Sequence, residues 1–168
     1  MDKTKVTKDF DNNTLIIERT FNASRQRMWN AYADPELFAK WWGPEGWETT
    51  VKECSFTPGG KNHYAMKCVD ENQGEWFNQE SWGMMIFETV DEPNSFSYKD
   101  YFSDANGTLN HDMPAMTITM SFAESDGKTT MTCSGVVESK EQLEQLINMG
   151  MIEGLTSSLD KLEAFVEA

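Results

Sequence analysis

The sequence predicts a single α+β domain, with an antiparallel meander of strands between short amino-terminal helices and one long terminal helix. The chain has 168 residues, a length that lets one domain bury about 70% of its unfolded surface. Apolar residues recur every second position between residues 47 and 138, and at helical spacing on either side. Turn clusters such as "DENQG" and "SDANG" leave short connections between the strand segments, which favours antiparallel pairing.

The amino-terminal part of the chain predicts a leader followed by one strand. Residues 1–13 are charged before any apolar pattern begins, so we expect a loose leader there and a single domain over residues 14–168. The segment "NTLIIERTF", residues 13–21, is rich in residue types that suit strands.

Two short helices are predicted next. Asn22 or Ser24 is suited to cap the first helix, and Asp34 is suited to cap the second. Pro35 falls at the first helical position, and Gly43 supplies a residue type that ends helices. We therefore expect two helices in succession before residue 43.

Six strands are expected in the middle of the chain. The alternation is clearest from Met116 to Phe122, where apolar residues are separated by Thr and Ser. The predicted strands cover residues 47–56, 61–69, 75–90, 94–102, 113–123 and 128–138.

The last segment predicts one long helix. Ser139 is followed three residues later by Gln142, which is the spacing of a capping box. Apolar residues then recur at helical spacing as far as Val166. The pattern indicates a helix of about 27 residues, roughly 40 Å long, which is enough to cross a whole sheet.

Charge and composition exclude several classes of partner. The net charge of −14 repels phosphate backbones, so we expect no nucleic acid partner. No apolar run approaches membrane-spanning length and no signal-peptide core is visible, which predicts a cytoplasmic protein without membrane insertion. The three cysteines are widely spaced and match neither a disulfide framework nor a zinc motif.

Several stretches resemble one branch of the SRPBCC superfamily. They are "RTFNASRQRMWNAYADPELFAKWWGP", "FTPGG", "DYFSDANG" and "EGLTSSLDKLEAF", and together they resemble proteins related to the activator of the heat-shock-protein-90 ATPase over residues 14–166. The resemblance implies the helix-grip fold, in which a curved antiparallel sheet wraps around the terminal helix. Relatives usually carry an aromatic residue at the position of Asn62 and a tryptophan at that of Leu155, so we expect a different pocket here.

Twelve residues are predicted to bind a ligand between the sheet and the long helix. Met is flexible and polarizable, so methionines on the inner face suit an adaptable apolar wall. Neighbouring helical side chains point about 100° apart, so we expect one tryptophan of the Trp41–Trp42 pair in the core and the other at the rim. A buried amide needs partners, which makes Asn62 the predicted polar handle, with Tyr64, Tyr98 and Glu88 as further polar groups. The predicted ligand-binding residues are Trp41, Trp42, Asn62, Tyr64, Met66, Tyr98, Met116, Ile118, Met120, Met131, Met151 and Leu155.

The sequence favours a binding protein for a small hydrophobic molecule. No catalytic, metal-binding or nucleotide-binding motif is present, so we expect no metal and no cofactor. His63 is expected on the outer face and His111 in a polar loop. Two alternatives stay open: the resemblance implies a stress-related co-chaperone module with a chaperone or other protein as partner, or a cyclase or aromatase that uses the same cavity.

Overall fold

A computed structural model describes residues 3–168. Eight antiparallel strands form one sheet in the order β1-β2-β8-β7-β6-β5-β4-β3. The strands are β1 Lys5–Asp9, β2 Thr14–Phe21, β3 Trp47–Cys54, β4 Lys61–Cys68, β5 Glu80–Asp91, β6 Ser95–Ser103, β7 Met116–Ser125 and β8 Lys128–Val136. The helices are α1 Arg25–Ala33, α2 Pro35–Trp41, α3 Lys140–Asn148 and α4 Met151–Val166, with a short 3₁₀ segment at Glu71–Trp76. The predicted α+β helix-grip architecture is confirmed.

The two short helices and the six-strand meander are confirmed with small changes at their ends. The Ser24 hydroxyl accepts a hydrogen bond from the Arg27 amide and caps α1. The Asp34 carboxylate accepts one from the Glu36 amide and caps α2. The strand predicted to begin at residue 75 begins at Glu80, because the 3₁₀ segment occupies the preceding residues.

The amino-terminal residues 5–9 are part of the sheet, so the prediction of a loose leader is wrong for them. They form β1, which pairs with β2 in a register that places Val6 opposite Ile17. The lysines of this strand are typical of a sheet edge, where charge discourages pairing with another chain. Residues 1 and 2 of the predicted leader lie outside the described residues.

The carboxy-terminal segment forms two helices instead of the single predicted one. Gly150 separates α3 from α4 with a backbone φ of +92°, a conformation that glycine adopts without steric cost. The Met149 amide still bonds to the Gln145 carbonyl and ends α3. The chain therefore changes direction at Gly150 between two amphipathic helices.

The solid part of the core lies under the carboxy-terminal half of α4. Leu159, Leu162 and Val166 are buried there. Trp29 packs edge-on against Phe96, with ring centroids 5.6 Å apart, and further aromatic rings surround this pair. The amino-terminal half of α4 is less tightly enclosed, and this is the region where the candidate site lies.

Candidate functional site

A cavity of about 340 Å³ lies between the concave face of the sheet and the junction of α3 with α4. This volume falls at the lower end of the range for small-molecule sites. One wall residue, Met149, is 54% exposed, so the cavity reaches solvent beside the helix break. Side chains and backbone from β2, β4–β8, α3 and α4 contribute to the wall, together with Trp42 and Pro44.

The adjacent tryptophans at the end of α2 occupy different environments. Trp41 is fully buried, and its indole Nε1 donates a hydrogen bond of 2.9 Å to the Ala31 carbonyl. Trp42 lines the cavity and stacks on Phe38, with ring centroids 4.8 Å apart. The prediction that one ring of the pair packs in the core is confirmed for Trp41. Trp42, expected at the rim, is half-buried and lies on the cavity wall against the core.

The segment that follows Trp42 is anchored to α4. The Lys161 ammonium donates to the carbonyl oxygens of Gly43 at 3.1 Å and Trp47 at 3.3 Å. The Ser157 hydroxyl accepts a hydrogen bond of 2.8 Å from the Glu45 amide. These bonds fix the position of the loop, and with it the Trp42 ring, relative to α4.

Ten of the twelve predicted ligand-binding residues lie on the cavity wall. On the strands, every second side chain points toward the cavity, and on α4 the helical spacing brings residues to the same side, as the sequence pattern predicts. They are Trp42, Tyr64, Met66, Tyr98, Met116, Ile118, Met120, Met131, Met151 and Leu155. Their contact with a ligand stays a prediction.

Trp41 and Asn62 are the two predicted residues that do not line the cavity. Asn62 is buried, pairs in register with Met85 and has an Oδ1 atom without a hydrogen-bond partner. Neither Asn62 nor Met85 is on the wall, because the cavity covers only the part of β4 that carries Tyr64 and Met66. Alternation identified the correct face of β4 but not the position of the cavity along it. Glu88 is exposed and is likewise absent from the wall.

Asp100 is a wall residue that the sequence reasoning missed. It lies on β6 opposite Met85 on one side and Met116 on the other. Burial alone raises the pKa of its carboxyl from 3.8 to about 7, without an opposing charge or hydrogen bond. A usable signal was present, since Asp100 follows Tyr98 by two positions and so shares its face of the strand.

The Asp100 charge affects three neighbouring groups. Burial, and then this charge, raises the pKa of Tyr64 well above 10. The same two causes act on Tyr98 and raise the pKa of the Cys133 thiol to about 12. All three groups are therefore protonated at neutral pH, and the tyrosine hydroxyls can act as hydrogen-bond donors.

The Trp42 indole adds a further donor to this part of the wall. Its Nε1 is buried without a well-formed hydrogen bond. It lies near the Tyr64 hydroxyl, where it offsets a small part of the rise in the pKa of Tyr64 that burial and Asp100 cause. The two rings meet edge-on, with centroids 5.8 Å apart. An indole N–H with unused bonding capacity is available to a bound molecule.

Two glycines let large side chains lie flat against the sheet. A Cβ atom at Gly83 would be 2.5 Å from the Tyr64 hydroxyl. A Cβ atom at Gly135 would collide with the Met116 thioether. The missing side chains leave room for Tyr64 and Met116, and both of these residues form part of the wall.

His63 lies on the opposite face of β4, as predicted, and has a structural role. Its Nε2 donates a hydrogen bond of 2.9 Å to the Asp104 carbonyl, and its ring lies 4.8 Å from that of Trp82. Within residues 3–168, no group of three or more His, Cys, Asp or Glu side chains is arranged to hold a metal ion. No helix in the same range is long and apolar enough to cross a membrane.

Comparison with known proteins identifies the family. A family model described as activator of Hsp90 ATPase homolog 1-like protein matches residues 22–167. Protein Ms6760 from Mycobacterium smegmatis is 36% identical over 97% of this chain and 96% of its own, with a TM-score of 0.86. A protein from Staphylococcus epidermidis is 31% identical over 96% of this chain and 93% of its own, with a TM-score of 0.80. A protein from Arthrobacter aurescens is 28% identical over 99% of this chain and 92% of its own, with a TM-score of 0.89. No curated protein matches the sequence. The chain belongs to the activator of Hsp90 ATPase homolog 1-like family, within the SRPBCC superfamily.

Proposed function

We propose that this protein binds a small, largely hydrophobic molecule in the cavity between the sheet and α4. The observation that carries the proposal is a cavity of about 340 Å³ whose wall is mostly apolar and carries a few convergent polar groups. Such a combination is typical of small-molecule sites. A dry cavity of about 150 Å³ accommodates benzene, so the volume here is suited to a molecule with two fused rings.

The wall chemistry supports binding of a ligand with one polar end. Most of the wall consists of Met, Leu, Ile and aromatic side chains, which adapt to apolar surfaces of different shape. Asp100, Tyr64, Tyr98 and Trp42 supply the polar groups at one part of this wall. The apolar area would provide affinity and the polar groups would orient the ligand.

The proposal is tested by filling the cavity with a side chain. Leu155 lies half-buried on the cavity wall, so the larger side chain of Leu155→Trp is expected to extend into the cavity and to occupy the site. Ala164→Trp is the matched control, because Ala164 is exposed on the same helix.

We expect native mass spectrometry and calorimetry with two-ring aromatic probes to detect binding to the wild type and to Ala164→Trp. Binding to Leu155→Trp should weaken at least tenfold, which corresponds to about 1.4 kcal/mol. Equal binding by the wild type and Leu155→Trp would contradict the proposal.

One observation also favours the cyclase or aromatase alternative. A carboxyl with a pKa of about 7 on a cavity wall is suited to general acid–base catalysis near neutral pH. Turnover of a polyketide-like substrate that is lost in Asp100→Asn would support the enzyme, whereas binding without turnover supports the proposed function. The co-chaperone alternative rests on the family relationship alone, and stimulation of a chaperone ATPase is its test.

The cysteines support a cytoplasmic location within this proposal. Cys54, Cys68 and Cys133 are all free thiols. Unpaired cysteines are typical of reducing compartments. Detection of the protein in a cytosolic fraction tests this point.

A further inference from the structure

We propose that the cavity selects ligands that combine an apolar ring system with one cationic amine, which forms an ion pair with the Asp100 carboxylate. This inference rests on the proposed binding function and adds the chemical class of the ligand. It follows from the charges on the wall, the aromatic rings beside them and the charge of the whole protein.

The first argument is that Asp100 has no partner among residues 3–168. None of the salt bridges among residues 3–168 includes it, and no hydrogen bond or positive charge offsets the effect of burial on its pKa. Among the described wall residues there is no Lys, Arg or His. Asp100 is half-buried, and a carboxylate that loses much of its hydration without gaining a partner is unfavourable, so a cation from the ligand would supply the missing interaction.

The second argument concerns the groups around Asp100. Tyr98 on its own strand, Tyr64 on β4 and Cys133 on β8 are near enough for the Asp100 charge to raise their pKa values. None of them carries a charge near neutral pH, so none competes for the cation. From β5, β7 and the helices, the neighbouring wall residues are uncharged.

The aromatic rings on the wall provide a second kind of contact for a cation. Trp42 and Tyr64 lie edge to face beside each other, and Tyr98 lies two positions from Asp100 on β6. The faces of such rings attract ammonium groups within about 6 Å. An amine bound at Asp100 would therefore have aromatic neighbours, as cation sites commonly do.

The third argument is the electrostatic field that the net charge of the whole protein creates. The net charge of −14 attracts cations toward the cavity and repels anions. An anionic ligand such as a fatty acid would meet this field and, inside the cavity, the Asp100 carboxylate. The structure thus favours amines over carboxylates among apolar ligands.

The experiment compares three probes of nearly identical size that differ in one polar group. They are 2-naphthylmethylamine, 2-naphthylmethanol and 2-naphthoate, titrated into the full chain by isothermal calorimetry at pH 8. An ionic strength of about 0.15 M limits long-range attraction to within about 8 Å. The variants are Asp100→Asn and, as the charge-matched control, Glu88→Gln, because Glu88 is exposed and is not part of the wall.

We expect the wild type and Glu88→Gln to bind the amine about tenfold or more tightly than the alcohol, as for a charged hydrogen bond, and the acid most weakly. Asp100→Asn should bind amine and alcohol within about twofold of each other, because the ion pair is lost while the apolar contacts stay. In the wild type the preference for the amine should shrink at pH 5.5, where Asp100 is protonated and the three neighbouring groups are unchanged.

Three results would overturn the inference. If the wild type binds the alcohol as tightly as the amine, or if Asp100→Asn keeps the preference, the selectivity for amines is refuted while ligand binding in the cavity stands. If none of the three probes binds, both the inference and the proposed function fail, because the probes match the size that the cavity admits.

Discussion

Replacement of Asp100 by asparagine should stabilise the folded protein, and more so at high pH. Asparagine has nearly the shape of a neutral aspartic acid, so the change removes the charge and preserves the packing. In the native state the pKa of Asp100 is raised from 3.8 to about 7 by burial. Between these values the unfolded chain has released a proton that the native state still holds, so stability falls as the pH rises.

The magnitude follows from the two pKa values. With 3.8 for the unfolded chain and about 7 for the native state, linkage makes the wild type less stable than the neutral form by about 2 kcal/mol at pH 5.5. The same calculation gives about 4 kcal/mol at pH 8.5. These figures are upper limits, because water in the open cavity solvates part of the charge.

Urea unfolding followed by tryptophan fluorescence measures this difference. The titrations belong at pH 5.5 and above, because the sequence pI is about 4.4 and proteins precipitate readily near zero net charge. Glu88→Gln serves as the control, since it makes the same charge change at an exposed position and should alter stability by less than about 0.5 kcal/mol. Equal stability of Asp100→Asn and the wild type at pH 8.5, or a difference that does not grow with pH, would refute the reasoning.

Two further predictions concern the backbone turn and the ion pair that hold α4. Gly150→Ala should destabilise the protein by about 1–2 kcal/mol because Gly150 has a φ of +92°. Gly154→Ala should instead stabilise it by about 1 kcal/mol, because Gly154 lies in the helix interior with open space around the new methyl group. Thermal unfolding of the two variants checks that their effects on stability have opposite signs. The double variant Asp160→Ala with Glu163→Ala should cost about 2 kcal/mol or more, because it removes both acidic partners of the buried Arg19, at 2.8 and 3.4 Å. Arg19→Met, which removes the buried charge itself, should change the free energy of unfolding by less than about 1 kcal/mol in urea titrations. A larger loss for Arg19→Met than for the double variant would contradict this account.

The architecture was predictable because its signals are local. Alternation from Met116 to Phe122 identifies β7, and all four apolar residues in that run are buried. Ser24 and Asp34 cap α1 and α2 through side-chain hydrogen bonds to amides two or three residues later. Signals of this kind depend on neighbouring residues only, so they can be read without knowledge of the fold.

The two errors in the fold arise where local signals are weak or misleading. The strand β1 has one half-buried apolar residue, Val6, and its pairing with β2 is a tertiary effect that composition does not reveal. The apolar pattern continues across Gly150, because α3 and α4 both bury residues against the same interior. Periodicity therefore predicts one helix, although glycine at position 150 permits the turn that the structure contains.

The sequence predicted which face of the sheet lines the cavity, but not how far the cavity extends along each strand. Alternation correctly placed Tyr64 and Met66 toward the interior, yet Asn62 on the same face lies beyond the cavity. The end of the cavity is set by how α4 and the loop containing Trp42 pack on the sheet, which depends on contacts between distant segments. Asp100 was missed for the opposite reason, because a charged residue near a turn is usually exposed to solvent.

The apolar cavity and the unpaired Asp100 carboxylate share one wall, and neither adds to the stability of the folded chain. Domains have only about 5–15 kcal/mol of total stability, so a sequence that needed stability alone would gain by filling the space and neutralising Asp100. A bound amine would contribute apolar contacts to the cavity and a counter-charge to Asp100 at once, and at 100 times its dissociation constant it would raise stability by about 2.7 kcal/mol. The apolar wall and the unpaired carboxylate are therefore the two features that a ligand of this class would satisfy.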